Sequence, residues 1–259
     1  MVETFQSILS SIGAPIPGRP RVLIFADSPL PSLLHGALGR GGGQGATWLS
    51  QVAQGYAAAT DLEIVWIDFA VGSKESEIHR LENQTFIRLA HPKHSWDLLL
   101  KFRIVRWRAR RLLKKLQPAV VHCWGTERIH SAVLAVATCP TILSMQGILT
   151  RYHEIGGLPS IWQWQVMVNS EPQFIRAATV VTSESKWGLD QVLRIHPAAV
   201  TEQVEYGVHP SFYDVAWQPD PQRPLIFYSG SIDWRKGLDV LLAAAALPGE
   251  RHWTLAIAG

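Results

Sequence analysis

Short apolar segments alternate with helical patterns along most of this chain, and that alternation limits the possible folds more than any other feature. Apolar runs of strand length occur at residues 21–26, 62–69, 85–90, 119–124, 141–145, 179–182 and 203–206. Helical patterns lie between them, at residues 46–59, 96–116, 129–137, 161–178 and 184–195. Ser183 is the predicted N-cap of the last of these helices. Strands that alternate with helices are typical of a mostly parallel, doubly wound α/β sheet.

Residues 224–259 contain a second, shorter strand–helix–strand unit. Its strands are predicted at 224–230 and 253–257, its polar turn at 231–237 and its helix at 238–247. One such unit cannot cover both faces of a sheet. We therefore expect either an incomplete second Rossmann-like domain or a unit that packs onto the domain before it. The predicted organisation is a leader at 1–20, a first domain at 21–213, a linker at 214–223 and this unit at 224–259.

The length of 259 residues is enough for two domains, or for one domain and part of another. The sequence has no apolar run long enough to span a membrane, and its start contains Glu3 but no lysine or arginine, so we expect neither a transmembrane helix nor a signal peptide. Cys123 and Cys139 lie in or beside apolar runs, which favours buried free thiols over a disulfide. The expected location is the cytoplasm.

Positive charge is concentrated in residues 101–115, which hold eight of the 24 lysines and arginines and no acid. The formal net charge of +3 would be −5 without them (+3 − 8). On a helix, one apolar stripe should face the sheet, and it consists of Leu98, Phe102, Val105, Ala109, Leu112 and Leu116. A strip on the other side mixes apolar and basic residues: Leu100, Arg103, Ile104, Trp107 and Arg111. This strip favours contact with an anionic membrane surface or another polyanion, and the alternative is a solvated basic face. Nucleic acid is disfavoured because the rest of the chain is acidic.

Glycines cluster between the first strand and the next helix, and the segment Gly41, Gly42, Gly43 and Gln44 is its centre. Glycines let backbone N–H groups approach a ligand, and the helix that follows attracts anions. The loop is too long for a dinucleotide fingerprint, and no Lys-Ser or Lys-Thr follows as in a phosphate-binding P-loop. Contact with a ligand and a flexible surface loop both remain open.

Two further positions suggest binding. Arg235 and Lys236 precede Gly237 at the start of the 238–247 helix, where the helix dipole disfavours cations unless an anion such as a diphosphate offsets them. The alternative is two solvated side chains. His122 and Gln146 lie at or near the carboxyl ends of central strands, which is the edge where open α/β sheets bind ligands.

Seven segments, taken in order, resemble the family 4 retaining glycosyltransferases of GT-B fold. They are GGGQGATWL (41–49), QPAVVH (117–122), TILSMQG (141–147), EYGVH (205–209), FYSGS (227–231), RKGLDVLL (235–242) and LAIAG (255–259). The resemblance extends over about residues 21–259, and its most specific part is the Lys-Gly-x-Asp stretch that begins at Lys236.

The resemblance implies an N-terminal GT-B domain followed by the start of the donor-binding domain. A sugar nucleotide would bind mainly to the second domain, with its diphosphate at Gly230, Ser231, Arg235, Lys236 and Gly237, and Lys236 would neutralise the leaving diphosphate. The first domain would supply the glycine-rich loop and an acceptor-side cleft with His122, Gln146 and Gly147. The family uses no cofactor and needs no metal for this step, and it retains the anomeric configuration.

The chain departs from the family pattern at three places. Ser231 stands where the family often has arginine, and Gln146 stands where it often has histidine. The family's pair of glutamates, separated by seven residues, would lie beyond Gly259.

The sequence therefore predicts part of a glycosyltransferase that transfers a hexose from a nucleoside-diphosphate sugar to a cell-envelope, exopolysaccharide or lipid-linked acceptor. The basic helix would place it at the inner face of the membrane, and the 259-residue chain alone is expected to be inactive. The alternative is a non-catalytic module of degenerate GT-B origin that binds a glycan or a protein partner.

Overall fold

The computed structural model describes residues 5–28, 47–208, 210–216, 218–232, 234–249 and 252–259. Contacts between residues divide the chain into two compact units, Met1–Val208 and His209–Gly259. Each unit has its own sheet.

The first unit contains an eight-stranded sheet, which confirms the predicted α/β fold with a mostly parallel sheet. Its strands are β1 (Arg21–Phe25), β2 (Glu63–Val71), β3 (Glu77–Leu81), β4 (Gln84–His91), β5 (Val120–Trp124), β6 (Thr141–Met145), β7 (Val180–Ser183) and β8 (Thr201–Gln203). Their spatial order is β3-β4-β2-β1-β5-β6-β7-β8, and only the β3–β4 pair is antiparallel. The strand order reverses between β1 and β5, so the crevice for ligands in this sheet class lies at the carboxyl ends of those strands.

Helices cover the sheet on both faces. They are α1 (Phe5–Ser11), α2 (Thr47–Ala57), α3 (His94–Leu99), α4 (Arg103–Leu116), α5 (Leu149–Glu154), α6 (Trp162–Ala177) and α7 (Lys186–Ile195). A 3-10 helix (Ile129–Val136) takes the place of the α-helix that the sequence predicts at 129–137.

Side chains alternate between the two faces of each strand, and this alternation produces two separate apolar clusters. The larger cluster packs α4, α6 and the 3-10 helix against the sheet. The predicted inner stripe of α4 is confirmed, since Val105, Ala109 and Leu112 are fully buried in this cluster. The smaller cluster packs α2 on the other face, where the rings of Trp66 and Phe86 stack at a centroid distance of 6.1 Å.

The single helix predicted at 96–116 is wrong, because the chain turns between α3 and α4. Lys101 and Phe102 have left-handed backbone conformations with φ of 49° and 63°. The buried carboxylate of Asp97 accepts hydrogen bonds from the backbone N–H groups of Ile104 (3.2 Å) and Val105 (3.1 Å). Asp97 therefore satisfies the first N–H groups of α4, which a continuous helix would have bonded to carbonyl groups.

Several elements were absent from the sequence prediction. The strand β3 pairs with β4 at the edge of the sheet, and α5 follows β6. Helix α1 lies in the predicted leader, and its Ile8 and Leu9 belong to the larger core cluster. Cys123 is fully buried, whereas Cys139 is only half-buried, and both are free thiols.

The second unit contains β9 (Leu225–Ser229), a 3-10 turn (Trp234–Lys236), α8 (Leu238–Ala245) and β10 (Thr254–Ala258). The two strands pair in parallel, with Leu225 opposite Thr254 and Ser229 opposite Ala258. This is the predicted strand–helix–strand order. Its apolar side chains are largely exposed, including Phe227 at 62% and Val240 at 68%.

Candidate functional site

A cavity of about 280 Å³ opens at the carboxyl edge of β6 and β7 in the first unit. It is lined by Met145, Gln146, Gly147, Ile148, Arg151, Tyr152, Ile155, Ser183, Glu184, Ser185, Trp187 and Gly188. These residues come from the ends of the two strands, from α5 and from the first turn of α7. Two of the three predicted cleft residues, Gln146 and Gly147, are therefore brought together here, and His122 is not part of the lining.

The buried carboxylate of Glu171 holds the loops around this cavity in place. Glu171 belongs to α6 and accepts hydrogen bonds from the Thr126 hydroxyl (2.6 Å) and from the backbone N–H groups of Leu149 (2.9 Å) and Thr150 (2.8 Å). Thr126 follows β5, and the other two residues begin α5. One side chain thus ties the loop after β5 to the loop after β6.

Glu127 is a second carboxylate at this edge, and it lies between Gly125 and Gly147. A Cβ atom at Gly125 would lie 2.2 Å from Glu127 Oε2, and a Cβ at Gly147 would lie 3.0 Å from Oε1. Gly125 also has a left-handed φ of 71°, a backbone conformation that favours glycine. Burial raises the pKa of Glu127 to about 7, and the negative charge of Glu171 adds to this, whereas backbone hydrogen bonds, including one from Gly147, lower it.

His122 lies inside the sheet rather than at its edge. Its Nε2 is 2.7 Å from the Ser144 hydroxyl, which in turn is 2.7 Å from the Thr182 hydroxyl, so a polar row crosses β5, β6 and β7. Burial lowers the pKa of His122 to about 4, and the ring is neutral at physiological pH. These hydrogen bonds join the side chains of β5, β6 and β7.

Tyr206 covers the sheet next to this polar row. Its hydroxyl donates a hydrogen bond to the Met145 carbonyl (3.2 Å), and its ring packs against those of Trp48 and Trp124 at centroid distances of 5.8 and 5.6 Å. Burial raises the pKa of the Tyr206 hydroxyl, and the charges of Glu184 and Glu127 contribute. In the part of the chain that the structure describes, the indole N–H groups of Trp48 and Trp124 are buried without a hydrogen-bond partner.

The glycine-rich loop, with Gly41, Gly42, Gly43 and Gln44, lies outside the described residues. Helix α2 follows it, as the sequence predicts.

In the second unit, the predicted diphosphate residues lie on the loop between β9 and α8. Lys236 is exposed, and its Cγ lies 3.9 Å from the position that a Cβ of Gly230 would take. Gly237 has a φ of 68° and precedes α8, and the Ser231 carbonyl accepts a hydrogen bond from the Tyr228 hydroxyl (2.9 Å). The backbone of Arg235 belongs to the 3-10 turn, and its side chain is outside the described part.

The five predicted membrane-contact residues lie at the end of α3 and on α4. Leu100 is 42% exposed and Trp107 is 51% exposed. Arg103 and Arg111 are exposed and Ile104 is half-buried. Trp107 is not an isolated side chain, because the Phe5 ring lies 6.3 Å from it and the Arg111 guanidinium lies 5.0 Å over its ring. Two neighbouring apolar residues that the sequence analysis did not include, Trp96 and Leu99, are also exposed.

None of the helices in the described ranges is long and apolar enough to cross a membrane.

One cluster among the described residues, Asp27, Asp68 and His130, has ligand atoms close enough to surround a metal ion. Asp27 is 3.8 Å from the guanidinium of Arg128, and Asp68 is 3.7 Å from that of Arg88. These two arginines already supply positive charge to the carboxylates.

Solved structures with a similar fold include GT-B glycosyltransferases. A sucrose-phosphate synthase from Thermosynechococcus elongatus is similar over 92% of this chain and 62% of its own, with 16% identity and a TM-score of 0.60. A UDP-forming α,α-trehalose-phosphate synthase from Burkholderia xenovorans is similar over 92% of this chain and 64% of its own, with 11% identity and a TM-score of 0.55. An E. coli structure described as trehalose-6-phosphate bound with UDP-2-fluoro glucose is similar over 86% of this chain and 60% of its own, with 10% identity and a TM-score of 0.57.

At these identities the similarity establishes the GT-B fold alone. The chain spans about 60% of the length of these proteins. No family model and no curated protein sequence matches the chain.

Sequence reasoning missed Glu127, Glu171 and Trp187. Glu127 lies three residues after the end of β5. This position in the sequence indicates a residue near the edge of the sheet where ligands bind. Glu171 and Trp187 lie within helices, and only the folded arrangement brings them to the cavity.

Proposed function

We propose that this chain is part of a retaining glycosyltransferase that transfers a hexose from a nucleoside-diphosphate sugar to a cell-envelope, exopolysaccharide or lipid-linked acceptor. The observation that carries the proposal is the similarity to the GT-B fold, which covers 92% of the chain. The chain also has a cation-bearing turn directly after β9, at the strand edge where α/β sheets bind phosphates.

The donor diphosphate binds at the loop that connects β9 to α8. Lys236, adjacent to Gly230, neutralises the charge that develops on the departing nucleoside diphosphate, with Arg235 as a second cation. Gly237 and Ser231 offer backbone and hydroxyl groups close to the phosphate oxygens. Cationic side chains perform this task without a metal ion or an organic cofactor.

The acceptor binds at the cavity of the first unit. Gln146 and Gly147 line it, and His122 bonds to Ser144 on the neighbouring strand that leads to them. The glycine-rich loop with Gly41, Gly42, Gly43 and Gln44 completes the acceptor side.

The enzyme works in the cytoplasm, at the inner face of the membrane. Trp107 and Leu100 insert among lipid headgroups while Arg103 and Arg111 bind anionic lipids, at about 1 kcal/mol for each cation near the surface. Co-sedimentation with phosphatidylglycerol-containing vesicles tests this claim. Trp107→Ala and Arg103→Glu should each reduce the bound fraction, whereas Glu202→Gln on the exposed edge strand β8 should not. Equal binding by all variants would contradict the proposed contact with the membrane.

Turnover tests the transferase proposal. The protein is purified from its own cells, and nucleoside-diphosphate release is measured with a panel of UDP-, GDP- and ADP-hexoses. We expect release with at least one donor, and faster release when envelope glycans or lipid-linked sugars are added. No release with any donor would contradict the proposal.

A second candidate is a non-catalytic module that binds a glycan or a protein partner. Ser231 and Gln146 favour it, because they replace the arginine and histidine that the resembled family often has there. Glycan binding without donor turnover is the result that would select this function.

A further inference from the structure

Three side chains that can bind a metal ion meet near the carboxyl end of β1 in the first unit. Asp27 follows β1 by two residues, Asp68 belongs to β2, and His130 is the second residue of the 3-10 helix that follows β5. Their ligand atoms all lie within 4.8 Å of one another. The three residues are far apart in the sequence, so the fold rather than a local motif brings them together.

The imidazole of His130 is buried but weakly hydrogen-bonded. The residue is 2% exposed, and its ring packs on that of Phe69 at a centroid distance of 5.7 Å, which fixes its orientation. Within the described ranges, Nδ1 has no hydrogen-bond partner. Nε2 has two contacts, with the Phe69 backbone N–H at 3.4 Å and with Asp68 Oδ1 at 3.5 Å, and both are longer than the usual hydrogen bond of about 2.7–3.2 Å. A buried polar group with such weak partners indicates a further partner, such as an ion.

The distance between His130 Nε2 and Asp68 Oδ1 suits two ligands of one metal ion. Bonds of about 2.0–2.2 Å to Zn²⁺ place neighbouring ligands of a tetrahedral site about 3.3–3.6 Å apart, and the observed distance is 3.5 Å. Asp27 supplies a second carboxylate, and its side chain is 43% exposed, so the remaining position can hold water. One imidazole with two carboxylates favours a transition cation over Mg²⁺ or Ca²⁺, which prefer oxygen ligands alone.

The two arginines beside the cluster supply charge to the carboxylates but do not hydrogen-bond to them. Arg128 Nε is 3.8 Å from Asp27 Oδ2, and Arg88 Nε is 3.7 Å from Asp68 Oδ2. Their side chains are 63% and 50% exposed, so solvent screens both contacts. Arg88 also lies 3.9 Å from a second carboxylate, that of Glu77. Both arginines can therefore turn away when a cation binds the aspartates.

We infer that Asp27, Asp68 and His130 form a binding site for a divalent transition cation of the Zn²⁺ type, with His130 Nε2 and one oxygen of each carboxylate as ligands. The ion would join the ends of β1 and β2 to the 3-10 helix after β5. The inference goes beyond the proposed function and does not depend on it, because none of the three ligands belongs to the loop between β9 and α8.

Titration of Co²⁺ into the 259-residue chain, after treatment with EDTA and dialysis, tests the inference. Co²⁺ occupies Zn²⁺ sites, and its visible absorption becomes much stronger when it leaves the octahedral shell of water. We expect one Co²⁺ for each chain with a Kd of about 10 µM or tighter. Zn²⁺ should then abolish the absorption band, whereas Mg²⁺ at about a hundredfold excess should not, because it requires octahedral oxygen ligands.

Variants assign the band to this cluster. His130→Gln and Asp27→Asn should each weaken Co²⁺ binding by at least about 10- to 100-fold, the usual effect of losing even an outer partner of a metal site. His79→Gln is the matched control and should bind as wild type. His79 Nε2 also lies 3.4 Å from a carboxylate oxygen, that of Glu77, but this pair is exposed and belongs to no metal-ligating group of three among the described residues.

Circular dichroism shows whether each variant is folded. Asp27→Asn decides the question by itself if His130→Gln is not folded, because Asp27 lies partly at the surface. Four results would overturn the inference: a Co²⁺ spectrum that stays that of the aqueous ion, equal affinity in wild type and Asp27→Asn, an equal loss in His79→Gln and Asp27→Asn, or displacement of Co²⁺ by Mg²⁺ as effective as by Zn²⁺.

Discussion

At the scale of single residues, the fold raises the pKa of the Glu127 carboxyl group. Its ordinary pKa of 4.5 rises to about 7 because burial disfavours the charged form. The folded protein therefore binds more protons than the unfolded chain between these two values. The free energy of unfolding falls as pH rises from about 4.5 to about 7, and the penalty is complete above that range.

Replacing Glu127 with glutamine should remove this penalty while keeping the shape of the side chain. Glu127→Gln should change stability little at pH 5 and increase it at pH 8, by up to about 3 kcal/mol before solvent screening is considered. Urea unfolding at both pH values measures the difference. Glu202→Gln on β8 is the control and should show no such dependence on pH, and an equal effect of Glu127→Gln at both pH values would contradict the account.

His122 acts in the opposite direction. Its pKa falls from 6.5 to about 4, so the unfolded chain binds more protons between those values and stability is lost as pH falls through that window. Measurements of Glu127→Gln at pH 5 are therefore made against wild type at the same pH, where His122 contributes equally to both.

Individual site residues could be predicted from the sequence only where they follow a strand directly. Gln146 and Gly147 come after the buried run of β6, so the sheet edge could be assigned to them in advance. His122 has a similar position in the sequence, but its side chain bonds to Ser144 within the sheet. Glu127 and Trp187 depend on contacts between separate loops and helices, which no local pattern encodes.

At the scale of elements, the buried parallel strands were predictable because they form continuous apolar runs. The break between α3 and α4 was not, because the inner stripe keeps its spacing through it: Leu98 and Phe102 are both buried. The left-handed residues Lys101 and Phe102 are not glycines, so the usual sequence signal for such a turn is missing. The N-cap of α7 also differs from the prediction. Ser185, rather than the predicted Ser183, accepts the hydrogen bond from the Gly188 N–H (3.2 Å).

Asp97 should therefore be critical for the start of α4. Its carboxylate is fully buried, accepts from two backbone N–H groups of α4 and lies 2.8 Å from His91 Nε2. Asp97→Ala should lower the free energy of unfolding by about 2–4 kcal/mol, because it removes a helix cap and leaves buried polar groups unpaired. Denaturant titration measures the loss.

The matched control for this change is Asp190→Ala. Asp190 pairs with Lys186 on the exposed side of α7 (2.9 Å), and an exposed pair of this spacing contributes only about 0.3–0.5 kcal/mol. Equal losses in the two variants would show that Asp97 does not cap α4.

At the scale of the whole molecule, the two units differ in how completely they are covered. The first unit buries apolar clusters on both faces of its sheet, whereas the two-stranded sheet of the second unit leaves most of its apolar side chains exposed. The order of strand, turn, helix and strand within residues 224–259 is the one that the sequence predicts. The loop between β9 and α8, which contains Lys236, Arg235 and Gly237, is where we propose that this unit binds a diphosphate.

The central claim is that the turn between β9 and α8 binds a nucleoside diphosphate. Isothermal titration of UDP, GDP and ADP into the protein purified from its own cells tests this claim most directly, with Lys236→Ala as the variant and Arg223→Ala, an exposed cation before β9, as the control. We predict that one nucleotide binds and that Lys236→Ala weakens it by about 10- to 100-fold, because a charge-assisted contact of about 1.5–3 kcal/mol is lost, while Arg223→Ala binds as wild type. Equal affinity in wild type and Lys236→Ala, or no binding of any of the three nucleotides, would contradict it.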